Sequence, residues 1–320
     1  MHKSCVNDDN PDKFIASSSL KVDHVRLKVS DLQESIDFYQ TILGFSVLNV
    51  ESGRNTAYLG PQSPPGKLSK LLVLDQINRD KNISSPSRER REAGLYHFAI
   101  LLPERKFLAA FLRHIQKNLD RRFYEGMADH AVSESIYLHD PDHNGIEVYR
   151  DRKPSEWRWT GENKVHMVTE ALNVDNLLNQ HSDEIWTGLP VYTTIGHVHL
   201  HVSNLSKAKK FYNKLLGLYH TASYPGAYFF AANRYHHHVA TNTWIGTNIL
   251  QSSANDLSKP GLKHYAIRVS ENKEELDALK RHLIKNDMTV DEHVEKSDEQ
   301  NDSSFYLYDP DRIKIQILSG

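Results

Sequence analysis

The chain has 320 residues, 39% of them hydrophobic, with 39 basic and 41 acidic side chains and a formal charge of -2. That length supports a packed core split over two domains of ordinary size, and the charge balance gives no electrostatic footprint for nucleic acid or a membrane surface, which leaves small-molecule chemistry. A single cysteine, Cys5, excludes an internal disulfide framework and a thiolate cluster. There is no apolar leader at the N-terminus and no run near the ~18 consecutive apolar residues of a spanning helix, so a cytoplasmic protein is expected.

Taken in chain order, residues 1–19 read as a polar extension, 20–150 as two modules, 151–194 as a linker with a short helix, and 195–320 as two further modules. The first module opens on a strand in which Val25, Leu27 and Val29 alternate with His24, Arg26 and Lys28, one face apolar and the other polar. A helix follows, capped at Ser30 or Asp31, with Leu32, Ile36, Tyr39 and Leu43 along one face and Gly44 ending it. The second module begins at GLYHFAILL (94–102) and closes on IYLHDPDHNGIEVY (136–149), two strands around an Asp140-Pro141-Asp142 turn. Between modules lie polar loops, including PQSPPGKLSK from Pro61 and the Arg-rich stretch 88–91, read as a solvated loop. The linker carries a predicted helix over 169–179, and its Trp157, Trp159 and Trp186 read as packing residues.

Then the pattern returns. HVRLKVSDLQESIDFYQTILG (24–44) reappears 173 positions later as HVHLHVSNLSKAKKFYNKLLG (197–217), with 10 of 21 positions identical. GLKHYAIRV (261–269) and FYLYDPDRIKIQIL (305–318) repeat the second module's motifs. A repeat at this scale organises the whole fold. The grammar is strand, helix, three strands, four times over.

Four such modules resemble the vicinal oxygen chelate superfamily (glyoxalase, bleomycin resistance and extradiol dioxygenase proteins), whose βαβββ modules pair into incomplete barrels around a metal. The resemblance implies an α+β fold with two incomplete β-barrels. Within the superfamily, ADHAVSESIYLHDPDHNGIE (128–147) resembles the extradiol signature of the catechol 2,3-dioxygenase branch: His130, Ile136, Tyr137, Asp140, Pro141 and Glu147 match, while Ala128 and His143 stand in place of glycines. The activity implied is cleavage of a small aromatic diol by O2 with Fe(II), Mn(II) being the alternative metal. A homo-oligomer is expected.

The same resemblance implies a ligand set of two histidines and one glutamate, which fixes an iron while leaving positions open. His97 and Glu147 come from the second module, and strand alternation sets both against their apolar neighbours. The third ligand is His197 of the third module or His24 of the first. A further family histidine on the late strand, present in HHHVATNTW (236–244) and absent from KLSKLLVLDQ (67–76), favours His197 and a pairing of modules two and three. His24, His264 and Gln316 would then face each other in the second barrel. His237 matches the acid-base histidine, and His130 and Tyr137 the groups that bond the substrate hydroxyls. His236 and His238 read as structural or exposed. His199 is expected to line the pocket with Asn242 and Trp244, and His201 to lie farther along. A glyoxalase-type isomerase and a bleomycin-resistance-type binding protein stay open as alternatives.

Overall fold

The computed structural model describes residues 14–62, 69–77, 91–293 and 303–320; Cys5, most of the Arg-rich stretch and parts of two other polar loops lie outside them. The first module comprises β1 (Lys21–Val29), α1 (Leu32–Thr41), β2 (Ser46–Glu51), β3 (Thr56–Gly60) and β4 (Leu72–Gln76). The second comprises β5 (Gly94–Leu101), α2 (Arg105–Asn118), β6 (Tyr124–Asp129), β7 (Ser133–His139) and β8 (Gly145–Asp151). A midsection follows with β9 (Trp159–Gly161), β10 (Lys164–Val165) and α3 (Val174–Asn179). The third module has β11 (Thr194–His201), α4 (Leu205–Lys209) running into a π-helical segment Lys210–Leu215, β12 (Tyr219–Tyr224), β13 (Ala227–Ala231) and β14 (Val239–Asn242). In the fourth, β15 (Gly261–Ser270) and α5 (Lys273–Lys285) lead to β16 (Ser303–Tyr308) and β17 (Lys314–Ser319), with an isolated Asp291–Tyr306 bridge beside them.

Local chemistry sets the helix ends. Of the two candidate caps, Asp31 is the one used: its Oδ1 accepts from Glu34 N–H at 2.8 Å. Gly44 ends α1 in the left-handed region (φ 75°), where a Cβ would meet Gly188 Cα at 2.5 Å. The linker helix starts later than the sequence suggests, at Val174 with Asn173 as cap. The reason is competition: Glu170 exchanges both backbone hydrogen bonds with Asp129, extending the edge of β6.

Apart from the β9–β10 pair, the strands form two curled half-barrel sheets. One runs β12-β13-β14-β11-β5-β8-β7-β6 and the other β16-β17-β15-β1-β4-β3-β2. The second module thus pairs with the third, and the first with the fourth, each pair meeting at an antiparallel seam of opening strands, β5 with β11 and β1 with β15. The apolar faces of these strands, among them Val25, Leu27, Phe98, Ile100, Val198, Leu200, Tyr265 and Ile267, enter one continuous core. Their other faces, carrying His24, Arg26 and Lys28 or His197, His199 and His201, are left to line the barrels.

Two equivalent polar staples tie sheet to sheet. Tyr39 donates to Asp140 Oδ2 at 2.9 Å and Tyr212 to Asp309 Oδ2 at 3.1 Å. The other carboxylate oxygen of each closes its own turn, Asp140 Oδ1 accepting from the Asp142 and Asn144 amides and Asp309 Oδ1 from those of Asp311 and Ile313. Burial, the largest cause in both, pushes Asp140 up from 3.8 to about 6 and Asp309 to about 7. A folded-state value above the unfolded one means that the stability linked to these carboxyls is fully present below 3.8 and is lost as pH rises through about 6 to 7. Asp309→Asn, neutral at every pH and still able to accept through Oδ1, is expected to flatten that loss. In urea unfolding, wild-type stability relative to the variant should fall between about pH 5 and about pH 8.

Candidate metal centre

Register brings three side chains together. Ala99 of β5 lies opposite Glu147 of β8 on one side and His197 of β11 on the other. His97, two residues from Ala99, shares its face. The small Ala99 leaves the middle of this row open, so the two imidazoles and the carboxylate converge over it. His97 Nε2 lies 3.0 Å and His197 Nε2 3.1 Å from Glu147 Oε2, and ligand atoms of all three fall within 4.8 Å of one another. All three residues are buried. Ser135 Oγ donates to the remaining Glu147 oxygen at 2.6 Å and orients the carboxylate.

The protonation states suit a cation. Burial alone would raise the Glu147 carboxyl, but His197 and His97 hold it well below the usual carboxylate range. Burial drives His197 down to about 4 against the opposing pull of Glu147. The result is a carboxylate beside a neutral His197 imidazole, the forms that ligate metals. Although His97 Nε2 stands close to Glu147, it is out of hydrogen-bonding alignment and has no hydrogen-bond partner among the described residues. A buried polar nitrogen in that state fits a ligand aimed at an ion.

The triad sits at the wall of a cavity of about 550 Å³ that His130, Tyr137, His199, His237 and Trp244 also line. Tyr137 and His130 act as a pair. His130 Nδ1 faces Val168 O at 2.7 Å and therefore carries the proton, so its Nε2 accepts from Tyr137 Oη–H at 2.6 Å. Burial, then the Glu147 charge, keeps the Tyr137 phenol well above its ordinary pKa, hence protonated. His130 thus orients Tyr137 in this state, and both residues line the cavity.

Asn242 also differs from its expected place. It is fully buried, with Nδ2 donating to His199 Nε2 at 3.0 Å and Oδ1 accepting from His201 Nδ1 at 2.7 Å and Trp244 N–H at 3.2 Å. It holds the wall from behind rather than forming it: paired with His201 across the sheet, it has the parity of the barrel face, but its amide is taken up by the two imidazoles. Trp244 stands at the rim, edge-on to His199 at 5.2 Å. Strand alternation would set His236 and His238 opposite His237. All three instead precede β14, which begins at Val239, and all are buried, with His236 Nδ1 2.7 Å from His237 Nδ1 and His238 Nδ1 accepting from Ala232 N–H.

In the second barrel His24 and His264 meet edge-on with ring centroids 5.9 Å apart, and His264 and Gln316 are both buried. There the place of His199 on the repeat is taken by Arg26, paired to Asp75 at 2.6 and 2.8 Å, with Lys263 on the same carboxylate at 3.0 Å. Two cationic side chains thus share one carboxylate beside these residues.

Several cavity residues escaped sequence reasoning. Tyr96 precedes His97 and by alternation should point away, yet it lines the cavity. On the seam His199 pairs with His97 but Leu200 with Leu95, so Tyr96 is the extra residue of a β-bulge, which re-aims it. Gly145 fits against this bulge, where a Cβ would come 2.0 Å from Tyr96 O. Phe229 packs on His237 and His199 at 5.0 and 5.9 Å. The midsection contributes Thr160 and residues 164–169, which lack a counterpart in the repeat and so carried no signal. Trp157 pins it, donating from Nε1 to Arg152 O and packing with Val132 and Val165.

The model of the Glyoxalase/Bleomycin resistance protein/Dioxygenase superfamily matches residues 21–148 and 194–317. A catechol-2,3-dioxygenase of Bacillus subtilis (strain 168) is 38% identical over 291 residues, which cover 90% of this chain and 93% of that protein. Among solved structures, a putative dioxygenase from Bacillus subtilis superposes with a TM-score of 0.59 at 13% identity, covering 96% of this chain and 86% of the other. Glyoxalase I from Zea mays gives 0.54 at 15% identity, covering 94% and 92%; both share the fold. Glu147→Gln, which removes the triad's negative charge, is expected to weaken divalent metal binding by about 100-fold or more, measured as metal per chain after dialysis. His197→Ala should lose the metal and His24→Ala keep it; the reverse result would put the ion in the other barrel.

Proposed function

This chain belongs to the glyoxalase/bleomycin resistance protein/dioxygenase superfamily, and within it we propose an extradiol, ring-cleaving dioxygenase that acts on a catechol-type diol with Fe(II) and O2. The observation that carries this reading is the buried His97–Glu147–His197 group opening on a cavity that also presents His237 and Tyr137. The extended similarity to a catechol-2,3-dioxygenase supports it. Two neutral imidazoles and one carboxylate suit Fe(II), which when bound supplies open positions for the diol oxygens and for dioxygen, and the electrons that link them.

The chain's own groups do the rest. A cavity of about 550 Å³ accommodates a small aromatic ring, with Phe229, Tyr96 and Trp244 offering apolar faces to it. His237, held well below its ordinary pKa first by burial and then by His197 and His236, is neutral. It can therefore accept a proton from a diol hydroxyl at its free ring nitrogen and return it as the ring opens. Tyr137 stays protonated, and with its hydrogen given to His130 its oxygen is left to accept from a substrate hydroxyl. The midsection across the cavity limits water at the reacting carbons. A glyoxalase-type isomerase would use a glutamine ligand beside the glutamate, and Gln316 lies in the other barrel.

Anaerobic loading with Fe(II), then catechol and air, is expected to give a yellow ring-opened semialdehyde acid. His237→Ala should lower kcat by about 100- to 1,000-fold, and Glu147→Gln should abolish turnover. Full activity in Glu147→Gln, or turnover of a methylglyoxal–glutathione adduct in place of catechol, would refute the proposal.

A further inference from the structure

Behind His237 runs a chain of hydrogen bonds that the reaction scheme above leaves unused. The inward face of β8 carries Glu147, Tyr149 and Asp151 at alternate positions. Asp151 Oδ1 lies 2.8 Å from His236 Nε2, and Asp151 Oδ2 accepts from Tyr235 Oη–H at 2.8 Å. Tyr149 Oη is 2.8 Å from Tyr235 Oη, which anchors the far end. His236 is fully buried, and its Nδ1 lies 2.7 Å from Nδ1 of His237. His237 lines the cavity, its ring centroid 4.1 Å from that of His197.

The direction of each bond follows from donor and acceptor chemistry. A carboxylate only accepts, so the His236 nitrogen that faces it, Nε2, carries a hydrogen. A neutral imidazole protonated at Nε2 has its lone pair on Nδ1. Two ring nitrogens 2.7 Å apart require one hydrogen between them, and with His236 as the neutral imidazole its Nδ1 has none, so His237 Nδ1 supplies it. That leaves the lone pair of His237 on Nε2, the nitrogen not engaged by His236. We infer that Asp151 is a positioning residue: acting through His236, it fixes His237 in the Nδ1–H tautomer and so keeps Nε2 of His237 as the basic nitrogen offered to the cavity.

The proton count closes. A proton taken at Nε2 makes His237 an imidazolium whose Nδ1–H still donates to His236, and return of that proton restores the starting state. Were the chain reversed, with His236 doubly protonated and donating to His237 Nδ1, His237 would carry hydrogen on Nε2 and could not accept a proton there. Asp151 thus stands to His237 as a triad carboxylate stands to its histidine, one imidazole farther out.

The inference deepens the proposed function by assigning the origin of His237 basicity, but the tautomer belongs to the resting protein and is read without catechol. Long-range proton–nitrogen spectra of the full chain with nitrogen-15-labelled histidine, loaded with Zn(II) and assigned with His236→Gln and His237→Gln, report it directly. The expected result is His236 protonated at Nε2 and His237 at Nδ1. In Asp151→Ala the His237 signals should become a mixture of tautomers, and kcat on catechol should fall about 10-fold or more with KM and metal content unchanged. Asp151→Glu should recover part of kcat. Tyr235→Phe, which leaves the carboxylate, should keep the tautomer. A wild-type His237 protonated at Nε2, or a tautomer unchanged in Asp151→Ala, overturns the inference. The correct tautomer in a protein that leaves catechol uncleaved would count against the proposed function and for the inference.

Discussion

The antiparallel seam between β5 and β11 joins two modules that are not halves of one sequence repeat unit, and the candidate centre exists only where they meet. His97 and Glu147 reach it from one side and His197 and His237 from the other. Backbone pairing fixes their spacing: a shift by one residue along this seam would turn His197 into the core and Val198 into the cavity. The apolar alternation of Phe98, Ile100, Val198 and Leu200, all buried, holds the register against such a slip. Core packing and ligand geometry are thus two faces of one constraint.

The polar side of that seam is costly without an ion. A buried carboxylate and its neighbouring imidazoles lose hydration, and the nearest compensations are the Ser135 hydrogen bond and the contact with His197. His97 Nε2 gains no hydrogen bond among the described residues. An ion that binds the folded state would return the lost interactions as stability, so occupancy and folding are linked at this point. The rest of the cavity is built differently, from pairs in which a neutral group fixes a neighbour's hydrogen: Val168 O for His130, His130 for Tyr137, Asn242 for His199. Each pair sets one donor or acceptor at the cavity without adding a charge.

Much of this was legible in the chain itself. The repeat located four modules, alternation in His97–Ile100 and Ile146–Val148 put the polar residues on one face, and the lone late-strand histidine run chose the partner of the second module. What stayed hidden depends on departures from periodicity. Tyr96 faces the cavity because a bulge adds a residue on one strand only, which no period-two pattern reveals. His236 evades alternation because the strand starts three residues later than the histidine run. Asn242 has the right parity for a wall residue, but its amide is satisfied from behind by two imidazoles. The midsection, with no internal counterpart for comparison, hid Lys164 to Thr169.

The pairing of modules also fixes an order of assembly. The inner sheet joins the second and third modules, with Thr194 beside Leu101, whereas the outer seam sets Lys21 against Arg268. During synthesis the inner barrel can close once β14 has emerged, while β1 must wait for the last module before its second edge is covered. The first strand made is thus among the last to be sealed, and until then its open edge is a template for wrong partners. His24, Arg26 and Lys28 along that strand, two of them permanently charged, guard it during the wait.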